Sequence, residues 1–203
     1  TEMRLMPAHI SPLKQVGPEL SSHRLAMARL GVQDSDLIID ERELTRRGPS
    51  YTVDTLKAIK TELNQEGRQH EPLFFCMGMD SLLSLDKWHR WQDLFELAHV
   101  IILARPGWSF NTAKIDENLK KFLNSRHLPI ALGENTTIIA PQLQASPFGH
   151  WFICEAELFD ISSTRIRQQL LDGKPAEKIA ELDPAVAAYI DTQGLYRPTT
   201  NYE

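Results

Sequence analysis

Five short apolar runs, each followed by a stretch of helical spacing, constrain what this chain can fold into. The runs are Met3 to Met6, Leu37 to Ile39, Leu73 to Met77, Val100 to Leu103 and Trp151 to Cys154. They have strand length and end at breakers or polar residues such as Pro7, Asp40 and Gly78. Leu73 to Met77 is apolar throughout, which suits a central parallel strand covered on both faces. Between the runs lie Leu25, Ala26, Ala28 and Leu30 after Ser21-Ser22, and Leu56, Ile59 and Leu63 after Ser50 and Thr52. Further helical stretches are Leu94 to Leu97, Ile115 to Leu123, Ser162 to Leu171 before Asp172-Gly173, and Pro184 to Ile190. Asp80 is placed to cap a short helix after Gly78. Strand–helix alternation of this kind predicts an α/β domain with a mostly parallel sheet and helices on both faces. Ligands of such sheets sit at the carboxyl ends of the strands. The loops after Met6, Ile39, Met77, Leu103 and Cys154 are therefore where chemistry is expected.

Composition narrows the class. A length of 203 residues suits one domain, and a hydrophobic share of 42% supplies a core. The net charge of −5, from 22 basic and 27 acidic residues, disfavours a nucleic-acid coat or a polybasic membrane anchor. No apolar run approaches the roughly 20 residues that span a bilayer, and no signal-peptide pattern is visible, so a cytoplasmic protein is expected. A homo-oligomer is compatible with this composition. Cys76 and Cys154 lie in apolar runs and read as buried free thiols. No Cys-x-x-Cys pair suggests zinc, and no metal-ligating set stands out. Residues 124–150 are the least regular, with a candidate strand at Thr137 to Ile139.

Four segments carry candidate chemistry. In Asp160-Ile161-Ser162-Ser163-Thr164-Arg165-Ile166-Arg167, three hydroxyl residues stand at a helix start. Free N–H groups and the helix dipole favour an anion there, and Arg167 shares a face with Ser163. The same spacing also fits an ordinary N-cap followed by a solvated arginine. Gly48-Pro49-Ser50-Tyr51-Thr52-Val53-Asp54 reads, taken alone, as a turn and a capped helix. Gly78-Met79-Asp80 is followed by Lys87-Trp88-His89-Arg90-Trp91; by composition the tryptophans are half-buried packing residues and His89 a surface residue. Met6-Pro7-Ala8-His9-Ile10-Ser11-Pro12-Leu13-Lys14 follows the first strand.

In that combination and order the segments resemble the nucleotidyltransferase superfamily that transfers AMP or CMP from a triphosphate. Within it they resemble the bacterial nicotinate-nucleotide adenylyltransferases, over roughly Met3 to Tyr196. The resemblance implies a Rossmann-like nucleotidyltransferase fold, a single domain over residues 1–203 with 162–203 as its C-terminal helical part. It implies transfer of AMP from ATP, with Mg²⁺, to nicotinate mononucleotide in NAD biosynthesis. ATP would be bound by Ser162, Ser163, Thr164 and Arg167, with Arg167 as the charged clamp, and by Gly78 and Asp80, the carboxylate near the ribose. Nicotinate mononucleotide would be bound by the backbone N–H groups of Thr52 and His89 on its carboxylate, by Trp88 stacked on its ring, and by Lys14 on its phosphate. Trp91 would be core. Leu13 stands where the family commonly has His, and His9 is given no role. Arg105-Pro106-Gly107 is a weaker match, as is the C-terminal Val186, Tyr189-Ile190 and Gly194-Leu195-Tyr196 pattern.

The family's Gly-rich opening with His-x-Gly-His does not occur in the 203 residues. On the resemblance, the first strand and helix of the family fold would lie upstream, and this polypeptide alone is expected to show almost no turnover. Two rivals follow. One is a pantetheine-phosphate adenylyltransferase, against which Ser50-Tyr51-Thr52 and Lys87-Trp88-His89 argue. The other is a nucleotide-binding protein without catalysis.

Overall fold

A computed structural model describes residues 2–9, 19–103, 115–128, 143, 146–154 and 161–197. Its elements are β1 (Met3–Leu5), α1 (Glu19–Gly31), β2 (Leu37–Ile39), α2 (Arg42–Thr45), α3 (Thr52–Gln65), β3 (Phe74–Gly78), α4 (Met79–Leu82), β4 (His99–Leu103), α5 (Glu117–Asn124), β5 (Trp151–Cys154), α6 (Ser163–Leu171) and α7 (Pro184–Thr192). The chain forms two compact units, residues 1–50 with 161–203, and residues 51–160.

In the first unit β1 and β2 pair in parallel, with Met3 opposite Leu37 and Leu5 opposite Ile39. Leu170 of α6 and Ala187 and Ile190 of α7 form a buried cluster with Ala176, Ile179 and Leu195, and Met27 of α1 packs against it. His23 Nδ1 lies 2.9 Å from the Tyr189 hydroxyl, tying α1 to α7. Asp183 caps α7 by accepting from the N–H groups of Ala185 and Val186.

In the second unit β3, β4 and β5 form a parallel sheet with β4 in the middle. The strand alternation divides its side chains cleanly. Phe75, Met77, Val100, Ile102, Trp151 and Ile153 join α3 and α5 in one core cluster. On the opposite face Phe74 stacks with His99 and meets Phe152 edge-on. Trp151 Nε1 donates to the Leu123 carbonyl at 2.8 Å, which satisfies its one polar atom inside the core.

Several expectations are corrected here. Cys76 is exposed and Cys154 half-buried, because each falls on the face opposite the core cluster. β4 rather than β3 is the middle strand of its three-stranded sheet. The helical reading of Leu94 to Leu97 falls on a 3-10 helix, Trp91–Glu96, that starts earlier and ends at its cap Leu97, and its three-residue turn brings Trp91 and Leu94 to one side. Asp80 does not cap α4; the helix starts at Met79, burying Met79 and Leu82, and Gly78 becomes its N-cap. α1 begins earlier, at Glu19, and α5 later, at Glu117 after its cap Asp116. The candidate strand Thr137 to Ile139 lies outside the described residues. Among the described residues no helix is long and apolar enough to cross a membrane.

Candidate active site

The second unit gathers one set of candidate residues. Thr52 is the first residue of α3, and Tyr51 before it is extended, with φ −94° and ψ 124°. Among the described residues the N-cap Tyr51 makes no side-chain bond to this helix start, so the leading N–H groups and the dipole, which also act on Asp54 in the first turn, can meet a negative group. The helix is held by Val53, Leu56, Ile59 and Leu63, which recur at three- and four-residue spacing and are all buried. This fixes the position of Thr52 from below.

Against that start lies the turn with Trp88 and His89. The Tyr51 and His89 rings are 4.3 Å apart between centroids, tilted by 32°. The structure thus brings Thr52 and His89 into one neighbourhood, and Tyr51 is the link. The sequence pattern alone gives Tyr51 no role. The signal available was its position, an aromatic residue directly before the helix start. Arg90 makes the turn possible with a left-handed backbone, φ 50°, which non-glycine residues seldom adopt. Trp88 is half-buried. Its backbone N–H donates to the Leu85 carbonyl at 2.9 Å, and its ring meets Phe75 edge-on at 6.3 Å. Its indole Nε1 is buried with no hydrogen-bond partner among the described residues. Trp91 packs edge-on against Phe122 at 4.8 Å and belongs to the core, as expected.

At the carboxyl end of β3, Gly78 leads into α4 and the exposed Asp80. The Asp80 side chain turns back over the Gly78 α-carbon. This is the strand end at which parallel sheets receive ligands.

The first unit gathers the other set. Ser162 is the N-cap of α6 and its hydroxyl accepts from the Arg165 N–H at 3.4 Å. Ser163, Thr164 and Arg167 are exposed on the first turns. Arg165 pairs with Glu181 at 3.2 Å, whereas Arg167 has no ion-pair partner among the described residues. The loop after β1 is clasped by Arg24, whose Nη2 donates to the carbonyls of Ala8 at 2.6 Å and His9 at 3.0 Å and to Ser21 Oγ at 3.0 Å. Asp40, at the end of β2, takes a two-pronged contact from Arg42 Nε, 2.8 Å to each oxygen, and one from Arg4 at 3.2 Å. Burial alone would raise the Asp40 carboxyl, but the bonds from Arg42 and Arg4 outweigh it and hold the group below its ordinary value. Lys14 and Arg105-Pro106-Gly107 lie outside the described residues. No group of three or more His, Cys, Asp or Glu side chains that could hold a metal occurs among the described residues, so none is assigned to Mg²⁺.

Comparison with known proteins decides the family. The cytidylyltransferase-like family pattern matches residues 5–169. A protein of Aeromonas salmonicida named "Probable nicotinate-nucleotide adenylyltransferase" is 40% identical over 198 residues, covering 97% of this chain and 83% of the relative. The chain belongs to the nicotinate-nucleotide adenylyltransferase family. A second member with the same name, from Pectobacterium atrosepticum, is 36% identical and covers 97% of this chain and 85% of its own length. Among solved structures, the nicotinic acid mononucleotide adenylyltransferase of Plasmodium falciparum complexed with NaAD matches with a TM-score of 0.63 at 19% identity, over 96% of this chain and 82% of that one. That likeness establishes the α/β, Rossmann-like nucleotidyltransferase fold. As a member of this family the chain is a nucleotidyltransferase.

Proposed function

We propose that the protein transfers the AMP moiety of ATP to nicotinate mononucleotide, releasing pyrophosphate and forming nicotinate adenine dinucleotide for NAD biosynthesis. The observation that carries this reading is the uncapped start of α3 set against the His89 turn, beside Trp88. Two backbone donors there, the N–H groups of Thr52 and His89, suit a carboxylate. A flat indole beside them suits a pyridinium ring. Backbone N–H groups cannot accept a hydrogen bond, so an amide in place of the carboxylate would turn a donor toward a donor. An unpaired buried donor costs about 1–3 kcal/mol.

Transfer is an in-line displacement. A phosphate oxygen of the mononucleotide forms a bond to the α-phosphorus of ATP, the α–β bridging bond breaks, and pyrophosphate leaves with the electron pair. No covalent enzyme intermediate is needed, so the chain's task is placement and charge stabilisation. The start of α6 offers N–H groups and the hydroxyls of Ser163 and Thr164 to the triphosphate, with Ser162 holding the helix start. Arg167 meets the charge that grows on the leaving pyrophosphate. Asp80, shaped by Gly78, accepts from the nucleotide ribose, and Lys14 contacts the mononucleotide phosphate. Mg²⁺, where bound with ATP, would offset triphosphate charge. Residues 1–203 act as one nucleotidyltransferase domain, a reading supported by the family pattern, which runs through both units. A cytoplasmic location suits these substrates.

The test is product analysis. The full-length gene product, incubated with ATP and nicotinate mononucleotide, is expected to yield pyrophosphate and nicotinate adenine dinucleotide one for one. Release of ADP, or of no dinucleotide, would overturn the reading.

A further inference from the structure

Two contacts fasten the start of α3 to the turn that carries Trp88 and His89. One is the Tyr51–His89 ring pair, 4.3 Å between centroids. The other lies one turn further along the helix, where Lys57 Nζ is 3.8 Å from Asp93, which also takes the Arg90 guanidinium. The two rings are not equivalent. Tyr51 packs against the buried cluster that includes Val53 and Leu85, while His89 is exposed. The tyrosine is the fixed seat, and the histidine settles on it.

Between the two contacts the backbone passes through the left-handed Arg90, φ 50°. Such a conformation persists only where its surroundings over-determine it. Removing a flanking contact would let the turn relax. Tyr51 also directly precedes Thr52, so the ring pair links the two residues whose N–H groups face the substrate.

We propose that Tyr51 is a positioning residue: its ring contact with His89 holds the N–H groups of Thr52 and His89 at the separation a carboxylate requires, and so sets the preference for an acid over an amide on the pyridine ring. The inference rests on the reading of those two groups as carboxylate donors. Once the contact is lost, each N–H can turn toward water. The carboxylate then loses a matched pair of donors, and the amide loses the clash. Stacking on Trp88 is blind to the substituent and persists.

The experiment compares kcat/KM for nicotinate mononucleotide and nicotinamide mononucleotide in the full-length protein and in Tyr51→Ala, Tyr51→Phe and His89→Ala. His89→Ala keeps its N–H and alters an exposed side chain, so it tests the contact without disturbing the core. Tyr51→Ala and His89→Ala are expected to lower the acid-to-amide ratio about tenfold, matching the loss of one well-placed hydrogen bond. The KM for ATP should stay within about twofold, and Tyr51→Phe, which keeps the ring, should restore the ratio. An unchanged ratio in His89→Ala, or equal losses with both mononucleotides, would overturn the inference. So would a Tyr51→Phe variant as impaired as Tyr51→Ala. A parent protein with no preference at all would instead remove the carboxylate reading, and the inference with it.

Discussion

The carboxylate of Asp80 folds back so closely over Gly78 that a Cβ at position 78 would stand 2.5 Å from Asp80 Oδ1, inside any tolerable contact. The Gly78 backbone is ordinary, with φ −75°, so alanine could adopt it without strain. The clash is with the tip of an exposed side chain, so an alanine here displaces the carboxylate and does not strain the turn. Gly78→Ala should therefore fold normally while pushing Asp80 off its position. The expected cost in ATP affinity is about 1.5–3 kcal/mol, the worth of a hydrogen bond to a charged group. Asp80→Asn should show a loss of the same kind. An ATP KM that does not move in Gly78→Ala, with the melting temperature intact, would show that this placement is irrelevant.

Arg165 and Arg167 stand two residues apart on α6 and differ in their pairing. Arg165 is paired with Glu181. Arg167→Ala is expected to cost about 2–4 kcal/mol in the transition state, seen mostly in kcat, as when one preorganised donor is lost. Arg165→Ala, an exposed ion pair, should cost at most about 1 kcal/mol, in stability and not in turnover. If the two variants have similar kcat, Arg167 is an ordinary solvated residue.

His99 gives the second unit a pH dependence. It is fully buried, its Nε2 lies 2.8 Å from the Ser146 carbonyl, and its Nδ1 accepts from the His150 N–H at 3.3 Å. A carbonyl only accepts and a backbone N–H only donates, so the neutral ring with a proton on Nε2 satisfies both. Burial lowers the His99 pKa, and the nearby His150 and Lys60 lower it further, against the opposing bonds to Ser146 and His150. The unfolded chain then takes up a proton that the folded chain refuses. Stability is full above about pH 6.5 and falls as the pH drops below it, by up to about 1.4 kcal/mol per pH unit. Urea unfolding at neutral pH and below pH 6 measures this. His99→Gln, which does not titrate, should flatten the decline, and an equally steep decline would contradict it.

Arg24 holds the loop after β1 through the Ala8 and His9 carbonyls and also donates to Ser21 of its own helix, while its buried Nε has no hydrogen-bond partner among the described residues. Arg24→Met should free the Ala8 and His9 carbonyls and cost about 1–3 kcal/mol in stability. Arg24→Lys should recover only part of this, because an ammonium lacks the planar fork. Hydrogen exchange over residues 6–9 should quicken in both. Unchanged exchange would show that the loop is held otherwise.

Much of the fold was legible because apolar runs of strand length leave little choice. β2 and β5 fall where their runs fall, and Ser162 caps the helix it was read to open. A uniform run conceals which face is covered, however, and so predicts burial for Cys76, between Phe75 and Met77, which is exposed. The helix boundary at Gly78 could not be seen because burial of Met79 and Leu82 sets it, and that burial is a tertiary fact. Tyr51 was missed because its partner His89 is distant in sequence, and no local pattern announces a ring contact across a loop.

The proposed site selects an acid-bearing pyridine mononucleotide as the acceptor of AMP. The most direct measurement is kcat/KM of the full-length protein, at one ATP concentration, for nicotinate mononucleotide, nicotinamide mononucleotide and pantetheine phosphate. Nicotinate mononucleotide should be favoured over its amide by at least ~10-fold, given two backbone donors that cannot pair with an NH₂ group. Pantetheine phosphate should not react. Equal use of the two mononucleotides, or faster transfer to pantetheine phosphate, would contradict the account.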